Sequence, residues 1–277
     1  YGKPPGKSDD FLTLVEPGTP CGEFMRRYWH PVGIASKVTE DPKRVRILGE
    51  DLILFRDGQG RVGLLHENCA HRGTSLYYGK VESNGIRCCY HGWLFAVDGA
   101  CVEQPCEPEG GLHRDKCRQP WYPVQERYGL VFAYMGPLDV MPPLPRYDVL
   151  ENLGPEEALQ QEDQSFYIGG GVSQENPVAP YSWLQNFENV MDPFHVVILH
   201  SRFSGVQFRE QMATMPAVQW EPCDHGVMYR SVRQTKEGPF TRITQTLLPN
   251  VRIVPSIELE PGQGREVAWL VPVDSHH

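Results

Sequence analysis

Residues 69–93 read CAHRGTSLYYGKVESNGIRCCYHGW and carry the strongest signal in the chain. Each end pairs one cysteine with one histidine: Cys69 stands two residues before His71, and Cys88 stands three residues before His91. Sixteen residues separate the first histidine from the second cysteine. Thiolates and imidazoles ligate zinc and iron–sulfur clusters. This stretch therefore predicts a metal centre held between two loops.

The mixed pairing of ligands indicates which metal centre this is. In a Rieske [2Fe-2S] centre one iron takes two cysteines and the other two histidines, so each pair would give one ligand to each iron. A structural zinc site uses the same ligand types, but zinc fingers group two cysteines and then two histidines. The flanking Gly73, Gly92 and Trp93 favour tight loops with an aromatic cover. We therefore predict that the cluster ligands are Cys69, His71, Cys88 and His91.

These motifs resemble the two cluster loops of Rieske non-haem iron oxygenase alpha subunits. Residues 10–32 also resemble the amino-terminal segment of the phthalate-dioxygenase-like branch of that family. Cys88 and Cys89 are adjacent, and only Cys88 has the expected spacing from His91. We expect Cys89 to be a packed thiol, the usual place for a free cysteine.

Composition limits the partners of this protein. The chain has 277 residues, of which 40% are apolar and 22% charged, as in a globular protein of about two domains. A net charge of -9 argues against nucleic acid or an anionic membrane as a partner, and no apolar run has the length of a transmembrane helix. Eight cysteines are too few for a disulfide scaffold. We expect a reducing, cytoplasmic compartment.

The first half of the chain predicts a small all-β domain. The turn at residues 57–60 (DGQG) and the turn at Asp98-Gly99 each lie between apolar runs, which predicts two hairpins. Residues 128–134 read as the last strand. Four prolines between residues 136 and 145 favour an extended connection. We therefore place an all-β Rieske domain at 1–140 and a catalytic domain at 141–277.

The second domain is expected to combine a helix with an antiparallel sheet, which makes the whole chain α+β. Residues 181–190 (YSWLQNFENV) have the spacing of a helix with one apolar face. Several β-rich runs follow His200 and predict the sheet. That sheet could wall an apolar pocket over a metal, or it could simply be a packed core face.

A second metal motif lies at the end of the predicted helix. Asp192, His195 and His200 supply two histidines near a carboxylate, the ligand types of the facial triad in non-haem Fe(II) oxygenases. On an ideal helix the two histidines lie about 140° apart, so only a distorted helix brings them to one ion. Pro193 supplies a reason for a kink, or for a new helix with Asp192 as its N-cap. The plain alternative is two unrelated polar histidines and a capping aspartate.

The pattern N-x2-D-x2-H-x4-H resembles the mononuclear-iron motif of the same family. The resemblance implies that His195 and His200 are iron ligands. It also implies that Asp192 hydrogen-bonds an iron-ligating histidine and, across a subunit interface, a cluster histidine such as His91. The implied protein is the oxygenase component of a Rieske oxygenase, which hydroxylates or O-demethylates an aromatic and commonly carboxylated substrate. The resemblance also implies a homo-oligomer, a trimer.

The cofactors implied by the resemblance are a Rieske [2Fe-2S] cluster and a mononuclear Fe(II). NAD(P)H would contribute indirectly, through a reductase or ferredoxin that donates electrons, since the sequence has no glycine loop of the kind that cradles a nucleotide phosphate. The other reactants would be O2 and the aromatic substrate. Two alternatives remain: a Rieske electron carrier with an inert second domain, and a zinc-stabilised binding module.

The third iron ligand is missing from the motif. In the family it comes from a segment downstream of the strand that resembles residues 266–274, whereas this chain starts at Tyr1 without a methionine and stops at His277. We therefore expect the chain to be truncated at its carboxyl end. A local acid, Glu188 or Asp192, is the competing possibility, and Asp192 would then lose its bridging role.

Overall fold

The computed structural model describes residues 6–112, 114–162, 181–203, 205, 207–256 and 264–277. They divide into two compact units. The first comprises the described residues up to 162 together with Pro272–His277, and the second runs from Tyr181 to Val271. The domain division at residues 140 and 141 stays a prediction. None of the helices in the described ranges is long and apolar enough to cross a membrane.

The first unit consists mainly of short antiparallel strands. Its helices are α1 (Asp10–Thr13), α2 (Pro20–Met25) and α3 (Asp148–Glu151). Its strands are β1 (Trp29–Ile34), β2 (Lys43–Ile47), β3 (Glu50–Arg56), β4 (Val62–His66), β5 (Lys80–Glu82), β6 (Gly85–Arg87), β7 (Leu94–Phe95), β8 (Cys101–Glu103), β9 (Val124–Arg127) and β10 (Leu130–Tyr134). These strands form three sheets, with the orders β1-β10-β9, β2-β3-β4 and β5-β6-β7-β8.

Both predicted hairpins are confirmed. The turn at 57–60 joins β3 to β4, and the Asp57 carboxylate accepts hydrogen bonds from the backbone N–H groups of Gln59 and Arg61. Asp98 and Gly99 join β7 to β8, and Gly99 has the positive φ that such a turn favours. The sequence therefore encodes these turns locally, through an aspartate that satisfies turn amides.

The last strand was predicted at residues 128–134, but the observed strand begins two residues later. β10 starts at Leu130, and its register pairs Leu130 with Arg127 of β9. Tyr128 and Gly129 form the connection, with φ values of 56° and 73°. Two successive positive φ values suit a tight two-residue hairpin turn. Tyr128 was thus mistaken for a strand residue because of its β propensity.

The second unit combines two helical segments with one antiparallel sheet, so the predicted α+β class is confirmed. Helix α4 (Trp183–Val190) matches the predicted run. Ser182 is its N-cap, and the Ser182 hydroxyl accepts a hydrogen bond from the first turn. Helix α5 (His195–Ile198) follows. The sheet has the order β11-β12-β13-β14-β15. Its strands are β11 (Ala217–Cys223), β12 (Gly226–Thr235), β13 (Gly238–Leu247), β14 (Val251–Val254) and β15 (Glu266–Trp269). One of the β-rich runs after His200 covers residues 251–259 (VRIVPSIEL); β14 takes its first four residues, and residues 257–259 lie outside the described ranges.

The buried face of this sheet differs from the predicted apolar pocket wall. Its side chains on β12 and β13 are largely polar. The buried polar residues on these two strands are Ser231, Arg233, Arg242, Thr244 and Thr246, and Tyr229 lies beside them. The described part of the sheet is therefore suited to hydrogen bonding rather than to a purely hydrophobic contact.

Candidate metal centres

The two cysteine–histidine motifs form loops of the same design at the ends of short strands. The first loop follows β4, and the second connects β6 to β7. In each loop the glycine four residues after the cysteine donates its N–H to the cysteine carbonyl: Gly73 to Cys69 at 2.8 Å and Gly92 to Cys88 at 3.1 Å. Both glycines have a positive φ, 73° and 72°, which L side chains rarely adopt. The sequence spacing thus produces two matching turns.

The two cysteines predicted as ligands lie together in the core. Cys69 and Cys88 are each 3% exposed, and their thiols lie within hydrogen-bonding reach of each other. Burial, reinforced by the neighbouring Cys88, raises the pKa of the Cys69 thiol to about 11, although the backbone N–H groups of His71 and Arg72 point towards its sulfur and oppose this rise. A bound metal would deprotonate both thiols. The amides would then stabilise the thiolate charge.

The two histidines predicted as ligands form a separate pair nearer the surface. The rings of His71 and His91 have centroids 4.7 Å apart. Trp93 is buried and stacks on His71 with centroids 4.5 Å apart and nearly parallel planes, as the predicted aromatic cover requires. Partial burial, with His91 nearby, lowers the pKa of His71. The lowered pKa favours the neutral imidazole, the form that ligates a metal.

These donors fit a two-iron cluster better than a single zinc ion. The thiols form one pair and the imidazoles another, so each pair can serve its own iron. Across the residues that the structure describes, no three of the His, Cys, Asp and Glu side chains gather where one ion could bind them all. A tetrahedral zinc site would require four converging ligands. The donor set therefore fits the Rieske [2Fe-2S] group, and Cys69, Cys88, His71 and His91 are the residues that would hold it.

Each loop is fixed by one buried or partly buried side chain that sequence reasoning missed. Gln119 is fully buried, and its amide nitrogen donates to the carbonyls of His66 at 2.7 Å and Asn68 at 2.9 Å. Its amide oxygen accepts from the N–H of Ala70 at 2.7 Å. Gln119 therefore holds the chain on both sides of Cys69. No sequence signal marks it, because it lies some fifty residues from the loop and follows no motif.

Arg87 plays a similar part for the second loop. Its guanidinium donates to the carbonyl of Gly92 at 2.7 Å and pairs with Glu82 and Glu103. Those two carboxylates raise the pKa of Arg87. Cys89, which we predicted to be packed, is instead exposed. Its neighbour Cys88 takes the inward position on this loop, so the next side chain turns outward.

The second motif brings its two histidines together. The rings of His195 and His200 have centroids 5.3 Å apart. The helical distortion that the spacing required is a π-helical turn over residues 199–203, directly after α5. A π turn holds more residues than an α turn, so it brings a residue five positions on closer to the same side. At Pro193, where we expected a kink, the helix is interrupted: α4 ends at Val190 and α5 begins at His195.

Asp192 lies beside His195, but it is not the N-cap that we considered. Helix α5 begins at His195 with Phe194 as its N-cap. One Asp192 carboxylate oxygen accepts from the N–H of Phe194 at 2.8 Å, and the other lies 3.5 Å from Nδ1 of His195. That nitrogen is buried, and no described residue offers it a hydrogen bond. The carboxylate is thus placed to orient His195, while its roles in turnover stay predictions.

Neither local acid completes a three-ligand site in the described parts of the chain. No set of three metal-ligating side chains is found there, and this includes Glu188 and Asp192 with the two histidines. Two imidazoles remain as the fitted donors for a mononuclear iron, and the identity of the third ligand stays open. The predicted continuation of the chain beyond His277 stays a prediction.

Two buried arginines lie on the inner face of the second unit's sheet. Arg233 is 1% exposed, and its Nη2 atom has no hydrogen-bond partner among the residues that the structure describes. Its other nitrogens donate to the Thr214 carbonyl and the Ser231 hydroxyl. Arg242, on the neighbouring strand, donates to two backbone carbonyls. Burial, with Arg233 nearby, lowers the pKa of Arg242 to about 10. Among the described residues, no carboxylate pairs with either guanidinium.

Comparison with known proteins adds independent support. The family "Rieske [2Fe-2S] domain" matches residues 28–126. The chain is 57% identical to the phenoxybenzoate dioxygenase subunit alpha of Ectopseudomonas oleovorans, over 100% of this chain and 68% of that protein. It is 34% identical to the phthalate 4,5-dioxygenase oxygenase subunit of Pseudomonas putida, over 96% of this chain and 61% of that protein. The solved structure of dicamba monooxygenase bound to dicamba shares the fold, with a TM-score of 0.66 and 19% identity over 90% of this chain and 74% of that one.

Proposed function

Because the chain belongs to the alpha subunits of Rieske non-haem iron oxygenases, in the phthalate-dioxygenase-like branch, we propose that it acts as the oxygenase component of a Rieske aromatic oxygenase. The reaction uses O2 and electrons from a reductase to hydroxylate or O-demethylate an aromatic substrate. The observation that carries this proposal is the meeting of His195 and His200 in a chain that also holds the two cluster loops.

The proposed ligands belong to two metal centres. Cys69, Cys88, His71 and His91 would hold the cluster, and His195 and His200 would hold the mononuclear Fe(II). When bound, these groups supply electron transfer and O2 activation. The protein's own part is to keep the thiols buried, to orient the imidazoles, and to bind the substrate. Asp192 orients His195, and we propose that it also reaches a cluster histidine across a subunit interface in a homo-oligomer, as a trimer.

A carboxylated substrate suits the buried arginines. A guanidinium without a counter-charge is costly to bury, and its planar donors match a carboxylate. Among the described residues, Nη2 of Arg233 has no hydrogen-bond partner, and Arg242 lies on β13, which pairs with the strand of Arg233, β12. The two relatives are named for phenoxybenzoate and phthalate, which are both aromatic acids. We therefore assign the substrate to the aromatic carboxylates, with these arginines as its carboxylate partners.

Substitution of Arg233 tests this assignment. Arg233→Met should raise KM for an aromatic acid by about tenfold to a hundredfold, because a hydrogen bond to a charged group contributes roughly 1.5–3 kcal/mol. The neutral methyl ester of the same acid should be affected little. Arg230→Met, on the exposed face of the same strand, is the matched control. Equal losses for acid and ester would remove Arg233 from substrate recognition.

An electron carrier is the second candidate. It is favoured by one observation: within the described ranges, His195 and His200 have no third protein ligand. The two functions differ in what happens to O2. With reductase, NAD(P)H and an aromatic acid, the holoenzyme should incorporate ¹⁸O from ¹⁸O2 into the product. A reduced cluster that passes electrons onward while no product acquires ¹⁸O would establish the carrier instead.

The electron donor and the compartment complete the proposal. A reductase or ferredoxin docks to deliver electrons to the cluster. We also propose a cytoplasmic location, supported by the eight cysteines, all of which are free thiols. Cell fractionation tests the location, and recovery of the protein outside the cytoplasmic fraction would contradict it.

A further inference from the structure

Gln207 contacts the second iron-site histidine twice. Its backbone N–H donates to the His200 carbonyl at 2.9 Å, and its side-chain oxygen lies 2.5 Å from Nδ1 of the His200 ring. The next residue, Phe208, packs against the same ring with centroids 4.9 Å apart. Gln207 itself is exposed, so its side chain could otherwise be solvated by water. It is instead directed at one ring nitrogen.

This contact determines which nitrogen of His200 is free. An amide oxygen only accepts, so the hydrogen bond requires the proton on Nδ1. A neutral imidazole carries one proton, and Nε2 is then left with its lone pair. Ligating histidines commonly donate their other N–H to a carbonyl or carboxylate, which fixes the tautomer and the ring orientation. Gln207 occupies that position for His200.

The two histidines of the site differ in this respect. Within the described part of the chain, Nδ1 of His195 is buried without a hydrogen-bond partner and lies 3.5 Å from the Asp192 carboxylate. Nδ1 of His200 already has a close partner in a residue seven positions further along the chain. The ring of His200 is thus held before any metal binds. His195 depends on a carboxylate that is near but not yet hydrogen-bonded.

We propose that Gln207 is a positioning residue, which holds His200 in the Nδ1–H tautomer and leaves Nε2 as its metal-binding nitrogen. The inference rests on the proposed function, because His200 is taken to be a ligand of the mononuclear iron. It adds a residue that the N-x2-D-x2-H-x4-H motif does not contain. Three variants test it: Gln207→Leu removes the acceptor, Gln207→Glu restores one, and Gln219→Leu is a control at an exposed glutamine on β11.

The first readout is the tautomer, measured by ¹⁵N–¹H correlation spectra of the His200 ring after removal of the mononuclear iron and with the cluster oxidised. The wild-type protein, Gln207→Glu and Gln219→Leu should show a proton on Nδ1. Gln207→Leu should shift His200 towards the Nε2–H form. An Nδ1–H tautomer that persists in Gln207→Leu would overturn the inference. So would a wild-type protein without a proton on Nδ1, which is the result expected if the Gln207 amide nitrogen, rather than its oxygen, faces the ring.

The second readout is Fe(II) affinity, measured by titration of the iron-depleted holoenzyme with Fe(II). Gln207→Leu should bind Fe(II) about 10–100-fold more weakly, the usual effect of losing such a partner, and Gln207→Glu should recover the affinity. A merely structural role would not be rescued by glutamate. Equal affinities for the wild type and Gln207→Leu would overturn the role of Gln207 alone. A wild-type protein that binds no Fe(II) would overturn the iron site, and with it the proposed oxygenase function.

Discussion

Gln119→Leu should weaken the first cluster loop more than any other single glutamine substitution in the first unit. The change keeps the size of a fully buried side chain but removes all three of its hydrogen bonds, to the backbone of His66, Asn68 and Ala70. Each bond contributes about 0.5–1.5 kcal/mol, and a buried backbone group left unpaired costs roughly 1–3 kcal/mol. Leucine recovers part of this through apolar burial. We expect a net loss of about 3 kcal/mol.

That loss should be visible in two assays. For a unit of this size, about 3 kcal/mol corresponds to a fall in Tm of roughly 6–12 °C. Because the bonds flank Cys69, the variant should also lose its cluster faster, which the decay of the visible absorption at a fixed temperature will report. Release of the cluster makes unfolding irreversible, so both proteins should be compared at one scan rate.

Gln104→Leu is the matched control. Gln104 is 3% exposed, comparable to Gln119, but among the described residues its amide nitrogen has no N or O partner and contacts only the Cys101 thiol. Its replacement should lower Tm by only a few degrees, because little hydrogen bonding is lost. If Gln119→Leu and Gln104→Leu had the same Tm and the same rate of cluster loss, the idea that Gln119 fixes the first loop would be wrong.

Three further predictions concern the ligands and a buried histidine. His71→Cys or His91→Cys, where a cluster still assembles, should shift its potential towards the roughly −400 mV of all-cysteine ferredoxins, and an unchanged potential in voltammetry would remove that residue from the ligand set. Asp192→Asn should keep both metal centres and lose most turnover; single-turnover electron transfer at the wild-type rate would disprove the bridging role. Burial lowers the pKa of His30 from 6.5 to about 4, so the folded state favours its neutral form, and about 3 kcal/mol of stability should be lost as pH falls from about 6.5 to 4. Urea unfolding should show that loss, and His30→Gln should reduce it; an equal pH dependence in the variant would refute the assignment.

The sequence predicted the parts of the fold that depend on local chemistry. The two cluster loops, the hairpins at Asp57 and Asp98, and helix α4 were all predictable, because spacing, turn residues and periodicity act over a few residues. The distortion between His195 and His200 was also predictable, since their five-residue spacing does not fit one face of an ideal helix.

The sequence did not predict the features that depend on distant contacts. Gln119 acts on a loop some fifty residues earlier, and nothing near it marks that role. Cys89 looked like a packed thiol, but only the loop geometry shows that it faces outward. The polar inner face of the second sheet was missed because alternation reveals which residues share a face, but not what a buried arginine binds.

Mössbauer spectroscopy of the ⁵⁷Fe-enriched holoenzyme, with its cluster oxidised and its mononuclear iron ferrous, tests the central claim most directly. The account predicts two inequivalent cluster irons, one ligated by thiolates and one by imidazoles, together with a separate high-spin ferrous iron. His195→Ala combined with His200→Ala should abolish the ferrous signal and leave the cluster pair unchanged. A spectrum with two equivalent cluster irons, or a ferrous signal that survives the double substitution, would contradict the account.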